Sequence, residues 1–129
     1  MMTKVNNTAL PEGWQWATNP FDIRKGISVS KIWWANNKPM ARCQVFTEVD
    51  RSGNRRTVAA LSVAKTVYKP TRRNEPPNLD WAWEFIMELP SVAPDPLAAA
   101  TMVEMDWPDI ERSVRQVYSR SGARPWWEI

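Results

Sequence analysis

The sequence predicts an α+β fold: an antiparallel β-meander of four or five strands, followed by two C-terminal helices packed on one face. Three observations lead there. Between residues 27 and 68, runs rich in β-branched and aromatic residues are joined by turns too short for parallel strands. From Leu79 to Leu89 every odd position is apolar, which is strand alternation. Beyond Pro90 the chain becomes rich in Ala and Met, and Asp-Pro pairs or near-pairs mark helix starts.

Residues 1–13 read as a loose lead-in ending at Pro11-Glu12-Gly13. The glycosylation triplet Asn6-Asn7-Thr8 is read as accidental, because Met1–Asn7 has no apolar run of the kind a secretory signal needs. Trp14 and Trp16 flank Gln15 at strand spacing, and Pro20 ends that short strand. In the run 27–35, Ile27 and Val29 share one face while Ile32 and Trp34 share the other. Asn36-Asn37-Lys38-Pro39 is turn chemistry, since Asn tolerates the left-handed region. The next run puts Ala41, Cys43, Val45, Thr47 and Val49 on one face. Arg42, Gln44 and Glu48 take the other, with Met40 and Phe46 among them. Asp50–Asn54 is a Gly-containing hairpin loop leading into the strand Arg55–Tyr68.

Residues 69–78 form a basic, proline-rich loop. The segment 79–89 fits two periods. On a helix, Asp80, Glu84 and Glu88 line one narrow face; as a strand they also share a side. Its aromatic content, the meander before it and the prolines around it favour the strand. Asp95-Pro96 then opens one helix and Asp106-Trp107-Pro108-Asp109 a second. The second has an apolar stripe at Trp107, Ile110, Val114, Val117 and Tyr118, and Gly122 as its stop. Pro125 cannot continue that helix, so Trp126 and Trp127 are expected to turn back onto the sheet or meet a partner. No repeat or composition break divides the chain, and 1–129 is read as a single domain.

Composition removes several classes of function. The chain has no histidine and one cysteine, Cys43. This takes away the commonest general base, the commonest metal ligand and any internal disulfide, and it fits a cytoplasmic protein. The four glycines are scattered, so no phosphate-cradling loop forms. Cys43 lacks a histidine to activate it and is read as a small buried hydrophobe. Asp80, Glu84 and Glu88 could in principle supply an acid and a base, but a solvated acidic face is the commoner meaning. No enzyme activity, metal or other cofactor is expected. No apolar run approaches the ~20 residues of a membrane span.

The net charge of +3 hides a strong segregation. Residues 23–74 hold twelve Lys/Arg and two acids, whereas residues 75–111 hold nine acids and no Lys/Arg. Basic clusters attract phosphate backbones, and nearby indoles can stack on unpaired bases. The expected nucleic-acid-binding residues are therefore Arg51, Arg55 and Arg56 at the hairpin tip, Lys69, Arg72 and Arg73 in the proline loop, and Trp33 and Trp34. The competing reading is that the basic sheet face is simply solvated, or is covered by the acidic segment 75–111 of the same molecule. Nine tryptophans are dense for this length. Trp83, Trp107 and one of each adjacent pair are expected in the core.

The leading expectation is thus a non-enzymatic binding protein whose basic sheet and loops engage nucleic acid or a nucleoprotein complex. In outline, a meander followed by one or two helices resembles small single-stranded-DNA-binding modules, although no motif carries the likeness. The alternative is a phage or mobile-element inhibitor of a host defence system, anti-CRISPR-like, which binds a protein target through Asp80, Glu84, Glu88, Glu104 and Asp109 or through Trp126 and Trp127. A structural or assembly subunit is the third reading. No membrane partner is expected, and a homodimer is left open.

Overall fold

The computed structural model describes residues 9–69, 71–76, 78–89, 93–121 and 124–129. The sequon at Asn6 and the stop at Gly122 lie outside these residues, as do parts of the lead-in and of the proline loop. The order is β1 (Gln15–Trp16), α1 (Pro20–Arg24), β2 (Ile27–Ala35), β3 (Lys38–Val49), β4 (Arg55–Lys69), β5 (Asn78–Leu89), α2 (Pro96–Ser121) and a 3-10 turn (Trp126–Glu128). The five strands form one antiparallel sheet in the order β1-β2-β3-β4-β5. The meander and the strand at 79–89 are as expected. The short helix α1 was not foreseen in the sequence.

Local chemistry sets the turns. Asn36 and Asn37 both have positive φ, 54° and 62°, the signature of a two-residue hairpin between Ala35 and Lys38. At the β3–β4 tip the Asp50 carboxylate accepts from the Ser52 and Asn54 N–H groups, both at 2.9 Å. Gly26, at φ 79°, ends α1 and swings the chain into β2.

Three irregularities redirect side chains. Ile27 pairs with Phe46 and Val29 with Val45, so Ser28 is an extra residue in β2, and Ile27 does not share the face of Val29 as expected. Trp33 pairs with Ala41 and Trp34 with Pro39, so Met40 is an extra residue in β3. This bulge turns Met40 into the core, at 2% exposure, rather than onto the face with Arg42. In β5, Leu61 pairs with Met87 and Ser62 with Phe85, leaving Ile86 as the extra residue. The expectation that Asp80, Glu84 and Glu88 share a side fails here. Glu88 lies opposite Ala60, whereas Glu84 and Asp80 lie opposite Val63 and Val67, on the other face.

The C-terminal half corrects the expected pair of helices. Asp95 caps α2 by accepting from the Ala98 N–H at 2.8 Å. The helix then runs unbroken through Pro108 to Ser121. An internal proline costs about 3 kcal/mol, because it removes one hydrogen bond and crowds the carbonyl four residues back. Packing outweighs that here. Trp107 stacks on Trp33 at 4.0 Å and 11°, Val103 and Val114 are buried on either side, and Pro108 itself is exposed. Asp109 is therefore a mid-helix residue, paired with Arg112, and does not belong to a second helix start; Glu111, one turn before Arg115, pairs with it.

The core lies between α2 and the inner sheet face. It contains Val29, Trp33, Ala41, Cys43, Val45, Ala59, Leu61 and Val63 from the sheet, and Ala99, Ala100, Val103 and Val114 from the helix. Glu104 clamps the two layers. Its Oε1 accepts from Trp14 Nε1 at 2.8 Å and from Lys31 Nζ, with the Lys31 and Glu104 side chains only 16% and 27% exposed. Glu104→Ala is expected to destabilise the fold by about 2–3 kcal/mol, because charged hydrogen bonds are lost and Lys31 is left half-buried without a counterion. Glu104→Gln, which retains an acceptor for Trp14, should cost less. Equal denaturation midpoints for the wild type and Glu104→Ala would refute the clamp.

Candidate binding surface

Helix α2 covers one sheet face only. The opposite, outer face is read from the register. Ile32, Arg42, Ser62 and Phe85 form one row of neighbours; Ser30, Gln44, Ala60 and Glu88 form another. Trp83 opposes Ala64 and Trp81 opposes Thr66, so Trp81, Trp83 and Phe85 project from the same face of β5. Trp81 and Trp83 meet edge to face at 5.0 Å. Phe85 is 60% exposed. Ala64, Val58 and Ser62 are buried on this face, so the aromatic side chains form a second, thinner layer over the sheet.

At the hairpin end of this face is a concavity of about 350 Å³. Arg42, Phe46, Ala60, Trp83, Phe85 and Glu88 are among its walls. The Arg42 guanidinium lies 4.7 Å from the Trp83 ring centre, a cation–π contact. Burial lowers the pKa of Arg42, and Asp22 of α1 opposes the shift. The Nε of Arg42 is enclosed and has no hydrogen-bond partner. An arginine stacked on tryptophan offers a flat, cationic surface suited to a planar ring.

The charge segregation is answered in part within the chain. Arg56 pairs with Glu48 at 3.1 Å and Glu88 at 3.7 Å, Lys65 with Glu84 at 3.2 Å, and Lys69 with Asp80 at 2.8 Å. The Lys69 hydrogen bond, helped by the Trp81 N–H, holds Asp80 below the usual carboxylate range. Of the expected nucleic-acid contacts, Arg56 and Lys69 are thus already engaged. Arg51, Arg55, Arg72 and Arg73 are exposed and have no ion-pair partner among the described residues. They do not form one cluster. Arg51 and Arg55 sit at one end of β4 and Arg72 and Arg73 beyond the other, about 46 Å away at ordinary strand rise.

The tryptophans are also redistributed. Trp33 is 8% exposed, between Trp14 and Trp107, and cannot receive a base; Trp34, at 62%, can. Trp83, expected in the core, is half-buried on the outer face. Trp127, a candidate for protein contact, is 1% exposed against Tyr118, while Trp126 is half-buried beneath Lys38. Among the acids offered to a protein target, Asp80, Glu84, Glu88, Glu104 and Asp109 all have cationic partners in the chain. Sequence reading missed Arg42, Phe46 and Phe85 as site residues. The signal was present in their outward-facing alternation on β3 and β5.

Among the described residues no group of three or more His, Cys, Asp or Glu is arranged to hold a metal ion, and no helix is long and apolar enough to cross a membrane. No protein-family model matches this chain, no curated protein matches it, and no solved structure matches it.

Proposed function

We propose that this is a non-enzymatic binding protein that takes single-stranded nucleic acid on the outer sheet face. The observation carrying this reading is the row Trp81, Trp83 and Phe85 on the face opposite α2, with Arg42 over Trp83. Bases stack on such rings whatever their identity, because every base has a π-face. A duplex hides those faces within its stack and leaves mainly its phosphates to contact. The cations at hand are few: Arg42 on the face, with Arg51 and Arg55 at the tip beside it. Stacking is therefore the larger part of affinity and charge the smaller.

The test is a titration of tryptophan fluorescence with oligo(dT), oligo(rU) and a duplex of equal length. Trp83→Ala is expected to weaken single-strand binding by about 1–3 kcal/mol. With three phosphate contacts, log K should fall against log salt with a slope of about −2. Arg51→Ala with Arg55→Ala should flatten that slope, whereas Arg72→Ala with Arg73→Ala, at the far end, should leave it nearly unchanged. No binding of any single strand, or undiminished binding by Trp83→Ala, would refute the reading.

A further inference from the structure

We infer that β5 is a dimerisation strand: a second copy of this chain adds its own β5, antiparallel, to the free edge and joins the two sheets into one. The inference does not depend on the nucleic-acid reading.

The sheet leaves β5 at its edge, paired only with β4. That edge is twelve residues long, about 40 Å of backbone with one side of its hydrogen-bonding groups turned outward. Monomeric proteins blunt such edges with Pro, charged side chains (Lys above all), β-bulges or a very short strand. Asn78–Leu89 contains no Pro and no Lys. Its three acids are each drawn back to a β4 cation, Asp80 to Lys69, Glu84 to Lys65 and Glu88 to Arg56. The edge is therefore long and close to neutral, with Phe85 60% and Met87 45% exposed along it. The bulge at Ile86 limits regular pairing to Asn78–Phe85.

The strand fits itself in one parity of register. A two-fold axis through Glu84 sets Glu84 against Glu84 and Asp80 against Glu88. An axis through Ala82 sets Asp80 against Glu84. Both oppose like charges, which is destabilising. An axis through Trp83 instead sets Trp83 against Trp83, Trp81 against Phe85 and Glu84 against Ala82. Every aromatic then meets an aromatic, and each acid meets a neutral residue. This self-complementarity argues for a second copy over an unrelated strand. Beside the edge, a groove of about 260 Å³ between β5 and α2, lined by Ile86, Met87, Leu89, Ile110, Val114 and Val117, adjoins the seam. The joined outer faces bring Trp81, Trp83 and Phe85 of both copies together at the centre of a ten-stranded sheet.

Sedimentation velocity on the full chain without nucleic acid is the test, with Ala82→Glu as the variant. Ala82 is exposed and lies opposite Lys65 on β4, so the new carboxylate meets a cation within its own chain. Across the seam it faces Glu84 of the second copy. The expected result is a wild-type mass twice that of the chain, and a dissociation constant raised by about tenfold or more in Ala82→Glu, from like charges placed opposite. The circular dichroism spectrum should be unchanged. If that variant does not fold, Phe85→Lys, at an exposed position, gives the same readout. A wild type that is monomeric at every concentration overturns the proposal and leaves the edge to a strand of another protein. A dimer that is equally tight in the folded variant also overturns it. Because no nucleic acid is present, this can fail while the stacking platform stands, and the reverse.

Discussion

Trp127→Ala is expected to destabilise the protein by about 3–5 kcal/mol, the usual cost of emptying a large aromatic from a closed site. Trp127 is 1% exposed, although it is two residues before the last residue of the sequence. It reaches the core because Pro125 redirects the chain after α2 and a 3-10 turn lays the tail on β3 and β4. Two polar contacts from the β2–β3 turn hold it there and a third braces the tail internally. Asn36 Nδ2 donates to the Trp127 carbonyl at 2.8 Å, Lys38 Nζ donates to the Ile129 carbonyl, and Arg124 donates to the Glu128 carbonyl at 2.6 Å. The β2–β3 turn is thus tied to the far end of the chain. Removing residues 125–129 should match or exceed the loss from Trp127→Ala, whereas Trp126→Ala, at a half-buried position, should cost less. For a chain of this length such a loss lowers Tm by roughly 10–20 °C. A truncated protein with an unchanged Tm would refute this account of the tail.

The sheet was legible in the sequence because its determinants are local. Paired asparagines, an Asp-initiated tip and period-two alternation each act within a few residues. What was misread depended on distant partners. Pro108 breaks a helix when considered alone, but Trp33, far away in sequence, supplies the stacking surface that keeps α2 whole. One-residue bulges at Met40 and Ile86 carry no strong local signal, and each reverses the faces of the side chains beyond it. The second reversal matters most for the surface. It leaves Glu88 with Arg56 on the outer side and sends Glu84 and Asp80 to Lys65 and Lys69 on the other, dispersing what looked like one acidic stripe. Charge counts along the chain predicted a basic surface. Antiparallel pairing of a basic β4 with an acidic β5 engages Arg56, Lys65 and Lys69, splits the remaining arginines between the two ends of β4, and leaves an aromatic surface between them.

Cys43 should give the protein an alkaline limit that Cys43→Ala lacks. The residue is fully buried at the centre of β3, and burial pushes its thiol from 9.0 up to about 12. Below pH 9 the thiol is protonated in both folded and unfolded chains, so it contributes no pH dependence. Between pH 9 and 12 the unfolded chain releases the proton and the folded chain retains it. The unfolded state then binds fewer protons, and stability falls as pH rises, by up to about 1.4 kcal/mol per pH unit. Burial, with Glu84 nearby, raises the Tyr118 hydroxyl in the same direction, and that adds to the fall above pH 10. Cys43→Ala removes the cysteine part alone. At neutral pH the variant should be less stable by about 1 kcal/mol, from the small space left in a closed core. Between pH 8 and 10.5 that deficit should close and reverse, by a relative gain of about 2 kcal/mol. The same burial keeps the thiolate fraction negligible, so a disulfide-exchange reagent should label native protein only as fast as it unfolds. Parallel stability profiles for the two proteins, or rapid labelling of the native state, would show that Cys43 is not enclosed as described.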